Sequence, residues 1–144
     1  MKYRLDEDSS TDLFFEGTKI LGIVSTLKNY LFCWHIQNSL NIFFGTTIDM
    51  QIGMEKNKRV YSFTVYDYID PVLHDQHFLY TNKHDGEFLL PELQHLDYIW
   101  LFRCISGEPS MFSKIQQQLK SIQGVQMVTE IEHTRIKSKN NLQR

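Results

Sequence analysis

Cysteine, proline and glycine are scarce in this chain of 144 residues, with two, three and seven copies. Cys33 and Cys104 each sit inside an apolar stretch rather than in a spaced framework. That excludes a disulfide scaffold and a paired-cysteine metal site, and points to buried thiols in a reducing compartment. Long apolar runs are missing too: those at residues 30–34 and 98–102 fall far short of the roughly 18 residues a membrane span requires. Neither sign of charge dominates, the net value being −2, so a general polyanion binder is not expected. Glycine-rich phosphate loops and a serine elbow are absent. Residues 1–12, MKYRLDEDSSTD, are acidic and lack the apolar segment of a secretory signal, so a cytoplasmic location is expected.

What is present is apolar and aromatic: 42% and 13% of the residues, enough for one soluble domain that buries about two thirds of its unfolded surface. The organisation expected is an acidic N-terminal segment (1–17), a single α+β domain (18–136) and a polar basic tail (137–144) with a solvated end. Residues 18–24 (TKILGIV) read as a strand, after which Ser25 or Thr26 can cap a helix running to about residue 40. Leu27, Tyr30, Leu31 and Trp34 follow helical spacing and are its expected buried stripe. Residues 42–52 read as a strand with Gly45 a bulge, MEKNKR as a turn, and VYSFTVYDYI (60–69) as one alternating strand. QHFLYT is a short strand between the turn regions IDPVLHD and NKHDGE.

Residues 96–104 contain YIWLF, apolar in consecutive positions, and so read as a central strand covered on both faces. Pro109 suits the first position of a helix whose Phe112, Ile115, Leu119 and Ile122 recur at steps of three and four. Gly124 supplies the stop, and residues 125–136 form the last strand. The order β-α-β-β-β-β-α-β predicts a ferredoxin-like, split β-α-β arrangement: an antiparallel sheet with an inserted hairpin and two helices on one face. Apolar residues on the other sheet face would need covering, which predicts a homodimer through the sheet.

LPELQHLDY, residues 90–98, resembles the motif of the IPExxxVDY family of small Bacteroidetes proteins, with Leu90 for isoleucine and Leu96 for valine. Pro91, Glu92, Asp97 and Tyr98 match at their spacing, and YLFCWHIQN, IQGVQMV and SKNNL add looser resemblance. The resemblance implies membership and almost nothing about activity. Physically, Pro91 can open a single helical turn with Glu92 beside its free N–H groups. Asp97 can accept backbone hydrogen bonds where turn becomes strand, and Tyr98 can lay its ring on the core with its hydroxyl at the rim. The competing reading makes Glu92 and Asp97 a carboxylate pair for acid/base work or a hard cation, but no nucleophile or base completes the set.

His74, His77 and His84 are weak candidates for a metal site, since residues 76–81 read as extended and no cysteine stands nearby. No cofactor is expected. RVYSFTVY, residues 59–66, resembles the longer aromatic consensus of RNA-recognition motifs. Arg59, Tyr61, Phe63 and Tyr66 fall in the expected places, although Val60 stands where glycine is usual and ILGIVS lacks the companion aromatic; with Tyr68, which shares a strand face with Tyr66, the residues Tyr61, Phe63 and Tyr66 are candidate ligand or interface residues. LKSIQGVQMVTEI looks like the helix, glycine, strand passage of ACT-type regulatory domains, which implies a small-molecule sensor. The reading adopted is a non-enzymatic α+β module acting through protein contacts, chiefly with its own copy and also with an unidentified protein partner. The ACT-like sensor is the alternative, and single-stranded RNA binding on an aromatic sheet face the further one.

Overall fold

The computed structural model describes residues 17–45, 52–56, 59–84, 86–105, 110–136 and 142; of residues 52–56, 59–62 and 84 the backbone alone is described. Strands β1 (Thr18–Ser25), β4 (Val65–Ile69), β5 (Gln76–Thr81), β8 (Tyr98–Arg103) and β9 (Val125–Ile131) form a five-stranded sheet in the order β4-β5-β8-β1-β9. Every neighbouring pair is antiparallel. Strands β2 (Ile52–Lys56) and β3 (Arg59–Phe63) pair as one hairpin, and β6 (Lys83–His84) and β7 (Glu87–Phe88) as another. Helices α1 (Asn29–Leu40) and α2 (Ser110–Ser121) complete the α+β architecture.

Alternation along the strands divides the core into two layers. On one side Leu21 and Ile23 of β1, Leu79 of β5 and Trp100 and Phe102 of β8 pack with Phe32 and Ile36 of α1 and with Phe112, Ile115 and Leu119 of α2. On the other side Ile20, Tyr80, Ile99 and Leu101 pack with Phe63, Leu89, Leu90, Leu96, Ile136 and Leu142. β8 is thus buried on both faces, as its run of apolar residues predicts. The second face is covered by the chain itself, through the segment between β7 and β8 and the C-terminal residues. Among the described residues, the face whose covering was expected from a second copy is packed by the chain's own Phe63, Leu89, Leu90, Leu96, Ile136 and Leu142.

Several boundaries move. Helix α1 begins at Asn29, its N-cap is Lys28 with no side-chain bond, and Ser25 serves other groups. The expected stripe is also wrong: Tyr30 is 68% and Trp34 56% exposed, while Phe32 and Ile36 are the buried pair. Residues 42–44 are not strand, Gly45 makes a lone bridge to Asp67, and the first hairpin strand starts at Ile52 and includes Met54–Lys56, where a turn was expected. Residues 46–51 and Pro109 lie outside the described residues. The strand expected over 60–69 breaks at Thr64, because the Thr81 hydroxyl accepts from Thr64 N and donates to Thr64 O, each at 3.1 Å. The last strand ends at Ile131, and a 3-10 turn follows at His133–Arg135. Most of the tail lies outside the described residues, but Leu142 is fully buried and its carbonyl accepts the Tyr80 hydroxyl. A wholly solvated end is therefore incorrect.

Gly22 shows why β1 carries a glycine. A Cβ there would stand 2.6 Å from Leu96 Cδ1 and 2.7 Å from Ile131 Cδ1, so the missing side chain lets Leu96 lie on the strand.

Candidate functional site

The motif segment forms one built unit at the end of the sheet. Pro91 opens a 3-10 turn, Pro91–Leu93, with Glu92 in its first turn. The turn is held from inside by Asn82, fully buried at the corner where β5 leaves the sheet. Asn82 Oδ1 accepts from Leu90 N at 2.8 Å, and its Nδ2 donates to the carbonyls of Leu93 and Leu96, both at 2.9 Å. Its backbone joins in: Asn82 N donates to Asp97 O at 3.0 Å, and Asn82 O accepts from Leu89 N at 2.9 Å. One amide side chain thus satisfies the Leu90 N–H and the Leu96 carbonyl, both buried, and adds a second donor to the Leu93 carbonyl, which also accepts from Leu96 N.

Asp97 ties this unit to β1. Its N–H donates to Ile23 O at 2.8 Å, and Oδ2 accepts from Ser25 N at 2.9 Å. Oδ1 lies 3.0 Å from Lys83 Nζ, a half-exposed ammonium, so that ion pair contributes little beside the hydrogen bond. The Ser25 hydroxyl donates to Gly124 O at 2.8 Å and accepts from Leu27 N at 3.1 Å. Tyr98 stacks on Phe32 with centroids 4.3 Å apart, and its hydroxyl donates to Leu27 O at 2.6 Å. Burial pushes that hydroxyl well above the ordinary tyrosine range.

Above these groups opens a cleft of about 520 Å³ at the N-terminus of α1, its wall including Lys28, Asn29, Tyr30, Lys83 and Asp97. The cleft offers two ammonium groups, one carboxylate and an exposed phenol ring. Ser25 Oγ also lines it, but both its hydrogen bonds go to backbone, so no base activates it as a nucleophile. Glu92 is exposed on the turn and contributes nothing to the wall. The carboxylate pair that acid/base chemistry would need is not assembled there.

The other sequence candidates scatter. Leu90 and Leu96 are fully buried under the second sheet face, and Phe63 with them. The side chain of Tyr61 lies outside the described residues. Tyr66 and Tyr68 are half-buried against the helix-side layer, and burial raises both hydroxyls. An aromatic sheet face for base stacking is therefore lacking at Phe63. His77 is buried, with Nδ1 accepting from Trp100 Nε1 at 3.3 Å and its ring 4.9 Å from that of Phe102. His74 occupies a left-handed turn position, and the side chain of His84 lies outside the described residues. Among the described residues no group of three His, Cys, Asp or Glu is placed to hold a metal ion. Cys33 and Cys104 are half-buried, and burial raises the Cys33 thiol to about 11, which disfavours the thiolate. No helix among the described residues is long and apolar enough to cross a membrane.

Sequence reasoning missed Asn82 and Lys83, and gave Ser25 a different task, the cap of α1. Asn82 directly follows the QHFLYT strand, where an amide marks a chain break, but nothing local shows that it faces inward.

Fold and site define an α+β protein: a five-stranded antiparallel sheet with two helices on one face and a hydrogen-bonded turn on the other. In comparison with known proteins, no family model and no curated protein matches the chain.

Proposed function

We propose that the chain is a non-enzymatic module that acts through protein contacts and associates with a second copy of itself. The carrying observation is the outward face of α1, where Tyr30, Trp34 and Leu31 are 68%, 56% and 39% exposed. The twelve residues NYLFCWHIQNSL include no Asp, Glu, Lys or Arg. Exposed aromatics without charge are the composition of an interface core rather than of ordinary solvated surface.

The ferredoxin-like reading belongs to the same proposal. Its support is the strand order: β8 lies between β1 and β5, β1 lies between β8 and β9, and a helix follows the first strand of each pair. Membership of the IPExxxVDY family is proposed too, supported by the way Pro91, Asp97 and Tyr98 work in one turn-and-strand unit.

A second reading, an ACT-like small-molecule sensor, is favoured by the cleft beside Lys28, Lys83 and Asp97. Native mass spectrometry of the purified chain separates the two. A mass of two bare chains is expected; a small molecule retained by each chain would favour the sensor, and a bare monomer at every concentration overturns self-association.

A further inference from the structure

Helix α1 has two faces of opposite use. Phe32 and Ile36 point into the core, and the residues that helical geometry sets opposite them are Tyr30, Leu31, Trp34, Gln37 and Asn38. All five are exposed. Trp34 stands at the middle of this face, its indole edge-on to the His35 ring with centroids 5.0 Å apart. The face is symmetric about it: Tyr30 and Asn38 lie four residues to either side, Leu31 and Gln37 three. The ends of α1 are electrically open. Its first turn has no acidic residue, its last turn no basic one, and its N-cap is Lys28, which makes no capping bond. No side chain of the helix therefore offsets its dipole at either end.

We propose that two copies of this chain pair α1 against α1, antiparallel, about a two-fold axis at Trp34. The proposal rests on the self-association reading above and assigns its geometry and the residues that set it. The occupant follows from the face. Trp34 meets the partner's Trp34, Tyr30 meets the partner's Asn38, and Leu31 meets the partner's Gln37. Each exposed residue thus has a counterpart, no charges are opposed, and the contact is isologous and closes at two copies. Each N-terminal end, carrying Lys28, comes beside the partner's C-terminal end, where a cation is favourable and α1 supplies none. A parallel pair would instead bring the two Lys28 ends together. The contact is small. Tyr30 and Trp34, its aromatic anchors, each offer roughly 100 Å², so the dimer is weak and reversible, below the standard interface size.

Sedimentation velocity across a concentration series tests the arrangement. Trp34→Glu sets two carboxylates against each other at the axis, and loss of the dimer is expected. Tyr30→Glu puts a carboxylate in place of a ring opposite the partner's Asn38, and dimerisation is expected to weaken about tenfold. Adding Asn38→Lys to Tyr30→Glu turns both pairs into opposite charges and is expected to recover most of that loss. An acid in the first turn and a base in the last suit the helix itself, so a weaker dimer does not come from a weaker α1. A wild-type dimer indifferent to Trp34→Glu overturns the α1 contact and leaves self-association standing through another surface. A dimer lost in Trp34→Glu, weakened in Tyr30→Glu and not recovered by the added Asn38→Lys overturns the antiparallel arrangement. A wild-type chain that never dimerises overturns both readings.

Discussion

The carboxylate of Asp97 accepts a hydrogen bond at 2.9 Å from the backbone nitrogen of Ser25, a residue 72 positions earlier. A motif that looks local in the chain is thus a clasp between the start of the central strand β8 and the end of its neighbour β1. Removing the acceptor leaves the Ser25 N–H, on a residue 7% exposed, without its partner. Asp97→Ala is expected to cost about 1–3 kcal/mol. Asp97→Asn keeps an oxygen that can turn to Ser25 and should cost less. Lys83→Ala should change stability by no more than a few tenths of a kcal/mol, since the ammonium is half exposed. Urea titration of the three variants checks the ranking; a Lys83→Ala loss equal to that of Asp97→Ala would show the ion pair, not the clasp, to be what matters.

Asn82 should be still less replaceable. Asn82→Ala abandons one buried donor, Leu90 N, and one buried carbonyl, Leu96 O, at once, while Leu93 O keeps Leu96 N, and a loss of about 3 kcal/mol or more is expected. Asn82→Asp is the sharper variant, because a carboxylate would face the carbonyls of Leu93 and Leu96 with no proton to offer. Its neutral form regains one donor, so its deficit relative to wild type should shrink as pH falls through the carboxyl range. A deficit independent of pH would mean that the turn reorganises around the new side chain.

How far such features can be read from sequence depends on whether their cause is local. The stripe Phe112, Ile115 and Leu119 of α2, continued by Ile122 just past its end, is recovered because, Met111 apart, lysine, glutamine and serine fill the rest of the helix and leave one apolar face. Helix α1 has apolar residues all round, so spacing alone cannot choose between Tyr30 with Trp34 and Phe32 with Ile36. Consecutive apolar residues in β8 do report burial on both faces, since nothing polar alternates with them. The break at Thr64 depends on the hydroxyl of Thr81, and the burial of Leu142 on Tyr80; both partners are distant in sequence, and no window of residues contains the cause. In the candidate site, Pro91, Asp97 and Tyr98 are visible as punctuation before a strand, whereas Asn82 becomes important through side-chain partners 8 to 14 residues away.

The close approach of Leu96 to Gly22 should appear as coupling between the two positions. Gly22→Ala puts a methyl group where Leu96 Cδ1 and Ile131 Cδ1 stand, and overpacking of about 1–3 kcal/mol is expected. Leu96→Ala leaves a cavity and should cost about 2–5 kcal/mol. In the double variant the new methyl occupies part of that cavity. The combined loss should fall short of the sum by about 1 kcal/mol, measured by a double-mutant cycle. Strict additivity would mean that β1 shifts to relieve the clash.

His77 makes stability depend on pH in a direction that follows from its surroundings. Burial lowers its pKa from 6.5 to about 4, against the opposing pull of Asp75 and then Asp70. The folded chain therefore holds the imidazole neutral, with Nδ1 accepting from Trp100, while the unfolded chain takes up a proton near the ordinary histidine value. With the folded pKa the lower one, the contribution is complete above about pH 6.5 and is lost as pH falls toward about 4. Between about pH 7 and about pH 4.5 the loss from this group is expected to be about 2 kcal/mol. His77→Gln keeps an acceptor for the indole and cannot titrate, so its stability should fall less steeply over that window. The two pH profiles, measured by urea unfolding, share every other titrating group, which leaves their difference to His77. Parallel profiles would mean that His77 keeps an ordinary pKa in the folded chain.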